Sequence, residues 1–415
     1  MYPTLYHAFY DMFGADWPAM RLLNSFGFFV ALAFIAASLT LSWELQRKAK
    51  LGLFTPQKRK IVIGEGPNWM DIAVNGLIGF IVGWKFIYLI ANSGKLFADG
   101  ETPQNHIFSS EGYWLIGLLV AVAFGGWRYW EYRKQQLPQP IEKEMDVYPH
   151  HLNGNITFMA AIFGILGAKF FHLLENPAEF KSFFEHPSFQ DFVGGLTVYG
   201  GLIVGAAGVL IFAWRKKINL WHLMDSAAPG MILAYGIGRI GCQVSGDGDW
   251  GIANTAPKPG WLSWAPDWFW AYDYPHNVNV VGVPMFPCDP AYEPHCRHLV
   301  PSVFPTPVYE TIAAVLIFIL LWRLRKKIVI PGVIMSLYLI FNGIERFLIE
   351  KIRVNNKIDF MGIKITQAEV ISVLFFITGL VMLWYVVRKF KKSNNSLTNN
   401  NMSPSTPTEQ INQSE

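Results

Sequence analysis

The chain has 415 residues, of which 52% are hydrophobic and only 15% charged, and its formal net charge is +4. That is length for two or three soluble domains, but the charges are too few and too clustered to cover soluble surfaces. The positive excess lies in short loops beside apolar runs, which excludes a nucleic-acid partner and points to an all-α polytopic membrane protein.

Nine stretches are apolar enough to span roughly 30 Å of hydrocarbon: Leu22–Leu41, Asp71–Ala91, Gly112–Trp130, Asn155–Leu174, Val193–Trp214, Ala227–Val244, Tyr309–Trp322, Gly332–Ile349 and Glu369–Val387. The seventh is short. Basic residues follow the first, third, fifth, seventh and ninth: Arg47 to Lys60, Arg128 to Lys143, Arg215 to Lys217, Arg323 to Lys327 and Arg388 to Lys392. Cytoplasmic loops carry the Lys and Arg excess, so the N-terminus is expected outside and the C-terminus in the cytoplasm. Lys351, Arg353, Lys357 and Lys364 break this rule on the outer side, which marks them for a role other than topology.

Met1–Met20 reads as an aromatic interfacial lead-in, and helix one as an uncleaved anchor. The second and fourth stretches share a pattern 84 residues apart: Gly83-Trp84-Lys85-Phe86, Leu89 and Asn92 against Gly167-Ala168-Lys169-Phe170, Leu173 and Asn176. The same offset superposes Gly117 on Gly201, which predicts a duplicated helix pair in parallel orientation. The outer loop 245–308 is dense in Trp and reads either as an arm in the headgroup zone or as a small folded cap. Cys288 and Cys296 lie in it, as a disulfide or as two free thiols. Past Lys392 the polar composition predicts a disordered cytoplasmic tail, 393–415.

The chemistry concentrates near the outer face. Gly238-Arg239-Ile240-Gly241-Cys242 ends the sixth stretch, followed by Gly246-Asp247-Gly248-Asp249-Trp250-Gly251. An intramembrane Arg costs roughly 2.5 kcal/mol or more, so Arg239 is a functional candidate by default. Arg346 and Glu350 stand one helical turn apart and can pair; Arg353 follows. Tyr199 begins the fifth helix on the same side. Converging guanidiniums suit a phosphate, and at this depth that means a phospholipid; pairing of the same charges into a structural network is the alternative. No His or Cys spacing resembles a metal site, and neither a metal nor another cofactor is expected.

These residues resemble the bacterial prolipoprotein diacylglyceryl transferases. The resemblance rests on four elements in order: Tyr235-Gly-Ile-Gly-Arg-Ile-Gly with Gly246-Asp247 and Trp250-Gly251, Thr197-Val198-Tyr199-Gly200-Gly201, Pro305-Thr306-Pro307-Val308-Tyr309-Glu310, and Arg346 to Glu350. It covers helix one and about Asn155 to Lys389, so 61–150 would be an inserted helix pair between helix one with its basic loop (22–60) and a transferase core (151–392). It implies transfer of the diacylglyceryl group from phosphatidylglycerol to the lipobox cysteine next to a signal peptide, at the outer leaflet of the bacterial inner membrane. Arg239 and Arg346 would hold phosphate, Glu350 would orient Arg346, and Tyr199 would touch headgroup or thiol. Phe26, Gly200, Gly201, Gly238, Gly241, Cys242, Asp247, Gly251 and Arg353 would line the substrate site. The chain departs from the pattern in having Tyr199 for the usual His, Cys242 for Asn, Asp247 near the usual Glu and Phe26 near the usual Tyr. A non-catalytic phospholipid carrier, or a structural envelope subunit, would also place charge in the membrane.

Overall fold

A computed structural model of the protein describes residues 1–94, 106, 109–177, 179–180, 195, 197–355, 357–360 and 363–401. Within them each of the nine apolar stretches contributes a helix. After a short helix α1 (Leu5–Phe13) these are α2 (Ser25–Lys50), α3 (Trp69–Ala91), α4 (Trp114–Gln135), α5 (Asn153–Glu175), α6 (Val198–Arg215), α7 (Leu220–Ser245), α8 (Thr306–Leu324), α9 (Val333–Glu350) and α10 (Gln367–Asn401). By length and composition α2, α3, α5, α6, α8 and α10 can cross a membrane. The remaining helices, α4, α7 and α9, carry more polar residues, and α7 and α9 hold the site.

Several helices run past their expected limits. Asn24 caps α2, accepting from the Phe26 amide at 2.8 Å, and α2 continues to Lys50 with its basic residues inside the last turns. The stretch expected to be short is the 19-residue α8. The last helix reaches Asn401, into the stretch expected to be disordered, while 402–415 lie outside the described residues.

Matching contacts define the repeat. Gly83 of α3 packs on the Ile116 carbonyl and Val120 of α4, and Gly167 of α5 packs on the Gly200 carbonyl and Val204 of α6. A Cβ at Gly167 would come within 2.4 Å of Val204, so only glycine lets these backbones approach. The Tyr113 amide donates to the Trp84 carbonyl at 2.9 Å, and the Thr197 amide donates to the Ala168 carbonyl at 3.1 Å, again 84 residues on. The copies part where the first helix of each pair ends. Buried Lys85 donates to the Ser109 and Glu111 carbonyls, whereas Glu175 accepts from Thr197 at 2.9 Å and lies 3.5 Å from Gln367 of α10.

The chain reaches α3 through strand β1 (Gln57–Ile63) and leaves α4 through β2 (Ile141–Val147), paired antiparallel from Gln57↔Val147 to Ile63↔Ile141. The basic residues there, expected to mark a loop, form a ladder whose Lys58 and Lys60 lie near Glu144 and Glu142. Both ends of the α3–α4 pair therefore meet at one place.

In the core, α7 packs along α2 and against α8 and α9, and α10 covers α9. Ala228 and Ile232 of α7, Ala314 and Leu321 of α8, and Ile334 and Tyr338 of α9 form a continuous buried cluster. At the end of the core away from the loop 245–308, Asp225 of α7 accepts from the Gly332 and Met335 amides at 2.7 and 2.9 Å, where a carboxylate meets the positive end of α9. Fully buried Glu44 of α2 pairs with Arg47 and with Arg325 beyond α8. This charge was not expected; it enters because α2 runs past the end, and α7 starts before the beginning, of their apolar runs.

The loop 245–308 is a folded cap. Gly251 bridges to Arg353, and Val303 bridges to Ala253 and Tyr272; strands β3 (Val283–Pro284) and β4 (Arg297–His298) pair within it. Cys288 and Cys296 are bonded as a disulfide. Helix α1 docks on the cap, where the Tyr292 hydroxyl donates to Asp11 at 2.7 Å. Strands β5 (Lys357–Phe360) and β6 (Ile363–Thr366) pair ahead of α10.

Candidate active site

Four elements converge at the capped end of the core: the last turns of α7, the loop after it, the first turns of α8 and the end of α9. Glu310 of α8, fully buried, is their meeting point. One of its oxygens takes an ion pair from Arg239 Nε and a hydrogen bond from the Tyr235 hydroxyl at 2.5 Å. The other lies 3.2 Å from Arg353 Nη1 and 3.9 Å from Arg346 Nη1. Arg239 and Arg353 also pair with opposite oxygens of Asp249, and Arg346 Nη2 lies 3.1 Å from Glu350. Glu350 takes a further hydrogen bond from Asn355 at 2.5 Å.

Burial makes this network strong and costly to break, because removing one partner of a buried pair leaves the other uncompensated. Three guanidiniums and three carboxylates in contact balance in charge. Two buried donors, Arg346 Nη1 and Arg353 Nε, are left without a hydrogen-bond partner. In the loop, burial alone would raise the Asp249 carboxyl, but attraction to Arg239 and Arg353 outweighs it and holds the group at about 2. Burial and the adjacent Asp249 raise the Asp247 carboxyl above its ordinary value.

Arg239, Arg346, Glu350 and Arg353, expected at the site from the sequence, are thus brought together. Tyr199 starts α6 near enough to Arg346 to act on it electrostatically. The Cys242 thiol is buried, 3.4 Å from Asp249 Oδ2 and 3.7 Å from Arg239 Nη1. Asp247 is beside it, with one buried oxygen unpartnered. Ligand atoms of Cys242, Asp247 and Asp249 lie within 4.8 Å of one another, close enough to share a cation, although two guanidiniums already occupy Asp249.

The glycines divide. Gly241 lets α7 approach Phe26 and Phe29 of α2, and Gly251 lets the cap approach the Ile352 carbonyl. Gly238 faces open space. Gly200 and Gly201 meet α5, so they serve the packing of the helix that carries Tyr199.

Glu310, Asp249, Tyr235 and Glu345 are the residues not picked out from sequence. Glu310 was visible only as the end of the Pro-x-x-x-Tyr-Glu segment. A carboxyl three residues past a proline in an otherwise apolar helix was the available signal.

Residues 113–385 match the sequence model of the prolipoprotein diacylglyceryl transferase family. The match begins within the first helix pair, so α4 falls inside it. Over 244 residues, 57% of this chain and 79% of the relative, the sequence is 29% identical to phosphatidylglycerol–prolipoprotein diacylglyceryl transferase 2 of Clostridium perfringens. Against the phosphatidylglycerol–prolipoprotein diacylglyceryl transferase of Corynebacterium glutamicum it is 27% identical over 248 residues, 58% of this chain and 72% of the relative. With this match over most of its length, and with the arginines and carboxylates of its motifs gathered in one buried cluster, the chain belongs to the prolipoprotein diacylglyceryl transferase family.

Proposed function

We propose that the protein transfers the diacylglyceryl group of phosphatidylglycerol to the lipobox cysteine of an exported prolipoprotein, forming a thioether and releasing glycerol phosphate. In this reading nine helices span the bacterial inner membrane, the N-terminus is outside, and the site opens to the periplasmic leaflet, where a signal peptide presents its cysteine. The observation that carries it is the pair of buried, unpartnered donors on Arg346 and Arg353, held beside Arg239 by shared carboxylates. Arg353 Nε can donate to a phosphate without losing a contact, and Arg346 Nη1 by giving up only its 3.9 Å contact with Glu310.

The reaction is displacement at a glycerol carbon. Sulfur forms the new S–C bond, the C–O bond to phosphate breaks, and the electron pair leaves with the phosphate oxygen. The thiolate is the competent nucleophile, so the thiol proton must be taken up. Guanidiniums fixed before the reaction stabilise the charge growing on phosphate, an effect worth roughly 3 kcal/mol per donor. Glu350 keeps Arg346 in place, and Tyr199 lies where it can meet the headgroup or thiol.

A carrier would need polar groups through the membrane. On α7 the outer cluster at Arg239 and the inner one at Asp225 are separated by the uncharged Ser226–Ala234, which favours chemistry at one face. Incubating the purified protein with phosphatidylglycerol and a lipobox peptide decides between them. Thioether product with released glycerol phosphate supports the transferase; lipid binding without product supports the carrier.

A further inference from the structure

Among the described residues, two carboxyls at the site, Asp247 in the loop after α7 and Glu345 of α9, meet no guanidinium within ion-pair distance. Glu345 precedes Arg346 on α9 and is 6% exposed. Its Oε1 lies 3.5 Å from the Tyr235 hydroxyl, and its Oε2 is buried without a hydrogen-bond partner. The hydroxyl therefore sits between two carboxyls with different surroundings. Glu310 touches three guanidiniums, while Glu345 touches none. Carboxyls placed in contrasting environments at one site take different roles in acid–base chemistry.

We propose that Glu345 receives the proton of the lipobox thiol during transfer, with Tyr235 fixing its position. The proposal rests on the transferase reading. The thiol proton passes to a Glu345 oxygen, sulfur bonds the glycerol carbon, and the C–O pair leaves on the phosphate; after product release the proton returns to water. Glu310, Glu350 and Asp249 would each have to give up a guanidinium to accept a proton, and Glu345 gives up none; Asp247, which also pairs with no guanidinium, lies beside the Cys242 thiol and not beside Tyr235. The charged and titratable groups facing it are Tyr235 and Arg239 of α7, Glu310 of α8, and Tyr338 and Arg346 of α9. From α10, Ser372 and Phe376 pack beside Gly343, and the nearby acid Glu369 is paired with Lys351. Arg239 and Arg346 lie close enough to steady a negative charge on Glu345 without being bonded to it.

The test is the pH profile of thioether formation by E345Q and E345D against the parent. E345Q, equal in size, should lower kcat on the order of a hundredfold, the scale of a lost proton acceptor. It should also remove the acid limb of the profile while leaving phosphatidylglycerol binding unchanged. E345D should keep the limb and recover part of the rate. E345Q with parental rate and limb would overturn the assignment while leaving the transferase reading intact, and equal loss in both variants would show that shape, not the carboxyl, matters. A parent protein that makes no thioether would remove the transferase reading itself and this assignment with it.

Discussion

Arg353 Nη1, beyond the last turn of α9, stands 3.2 Å from Glu310 Oε1 in the third residue past Pro307 of α8. Because Glu310 also holds Arg239 and lies in ion-pair range of Arg346, one buried carboxylate registers three guanidiniums carried by two helices and a loop. E310Q should leave them without their common partner. Loss of one member of a buried ion-pair set costs about 3 to 5 kcal/mol, so thermal unfolding in detergent should show a large drop in midpoint, and thioether formation should fall with it.

His7 of α1 should make docking of the N-terminal helix on the cap pH-dependent. Burial, then the neighbouring His295 and Arg21, lowers it from 6.5 to about 4. A base with a lower value folded than unfolded binds its proton more readily when unfolded, so stability falls as pH drops from 6.5 toward 4. The full loss is about 3 kcal/mol, complete below pH 4. Urea unfolding of the cap, followed by Trp fluorescence at pH 7 and pH 4.5, should show it. H7F should flatten the dependence in that window.

The Cys288–Cys296 disulfide closes a short loop, with a sequence separation of 8. By loop-closure entropy it contributes roughly 2.5 kcal/mol to the cap. C288S should raise the rate of proteolysis in the cap, read by mass spectrometry, and leave Arg239 and Glu310 in place. Turnover should therefore change less than cap stability.

The two helix pairs should separate in function. G83A and G167A each force a Cβ against the partner helix, within 2.7 Å of the Ile116 carbonyl and 2.5 Å of the Gly200 carbonyl. Overpacking of this kind costs about 1 to 3 kcal/mol in either pair. Only G167A should also lower turnover, because α6 carries Tyr199 toward Arg346. Parallel melting and transfer assays on both variants check this.

How much was readable in advance follows from which contacts are local. Arg346 with Glu350 is a one-turn pair on a single helix, so spacing alone gave it. The repeat was readable because glycines recur at a fixed offset, and close helix packing requires them. Glu310, Asp249 and Tyr235 were not singled out, since their partners lie on other elements and nothing in their local spacing names them. The β1–β2 ladder was hidden for another reason: its Lys and Arg residues serve the topology rule equally well as a loop. Lys351 and Arg353, two of the basic residues that break that rule, have specific partners in Glu369, Asp249 and Glu310.

The most direct measurement is thioether formation from phosphatidylglycerol and a lipobox peptide by R239A and R346A beside the parent protein. If the guanidiniums grip the departing phosphate, each variant should lose on the order of a hundredfold or more in kcat/KM. Parental turnover in both would contradict the site described here.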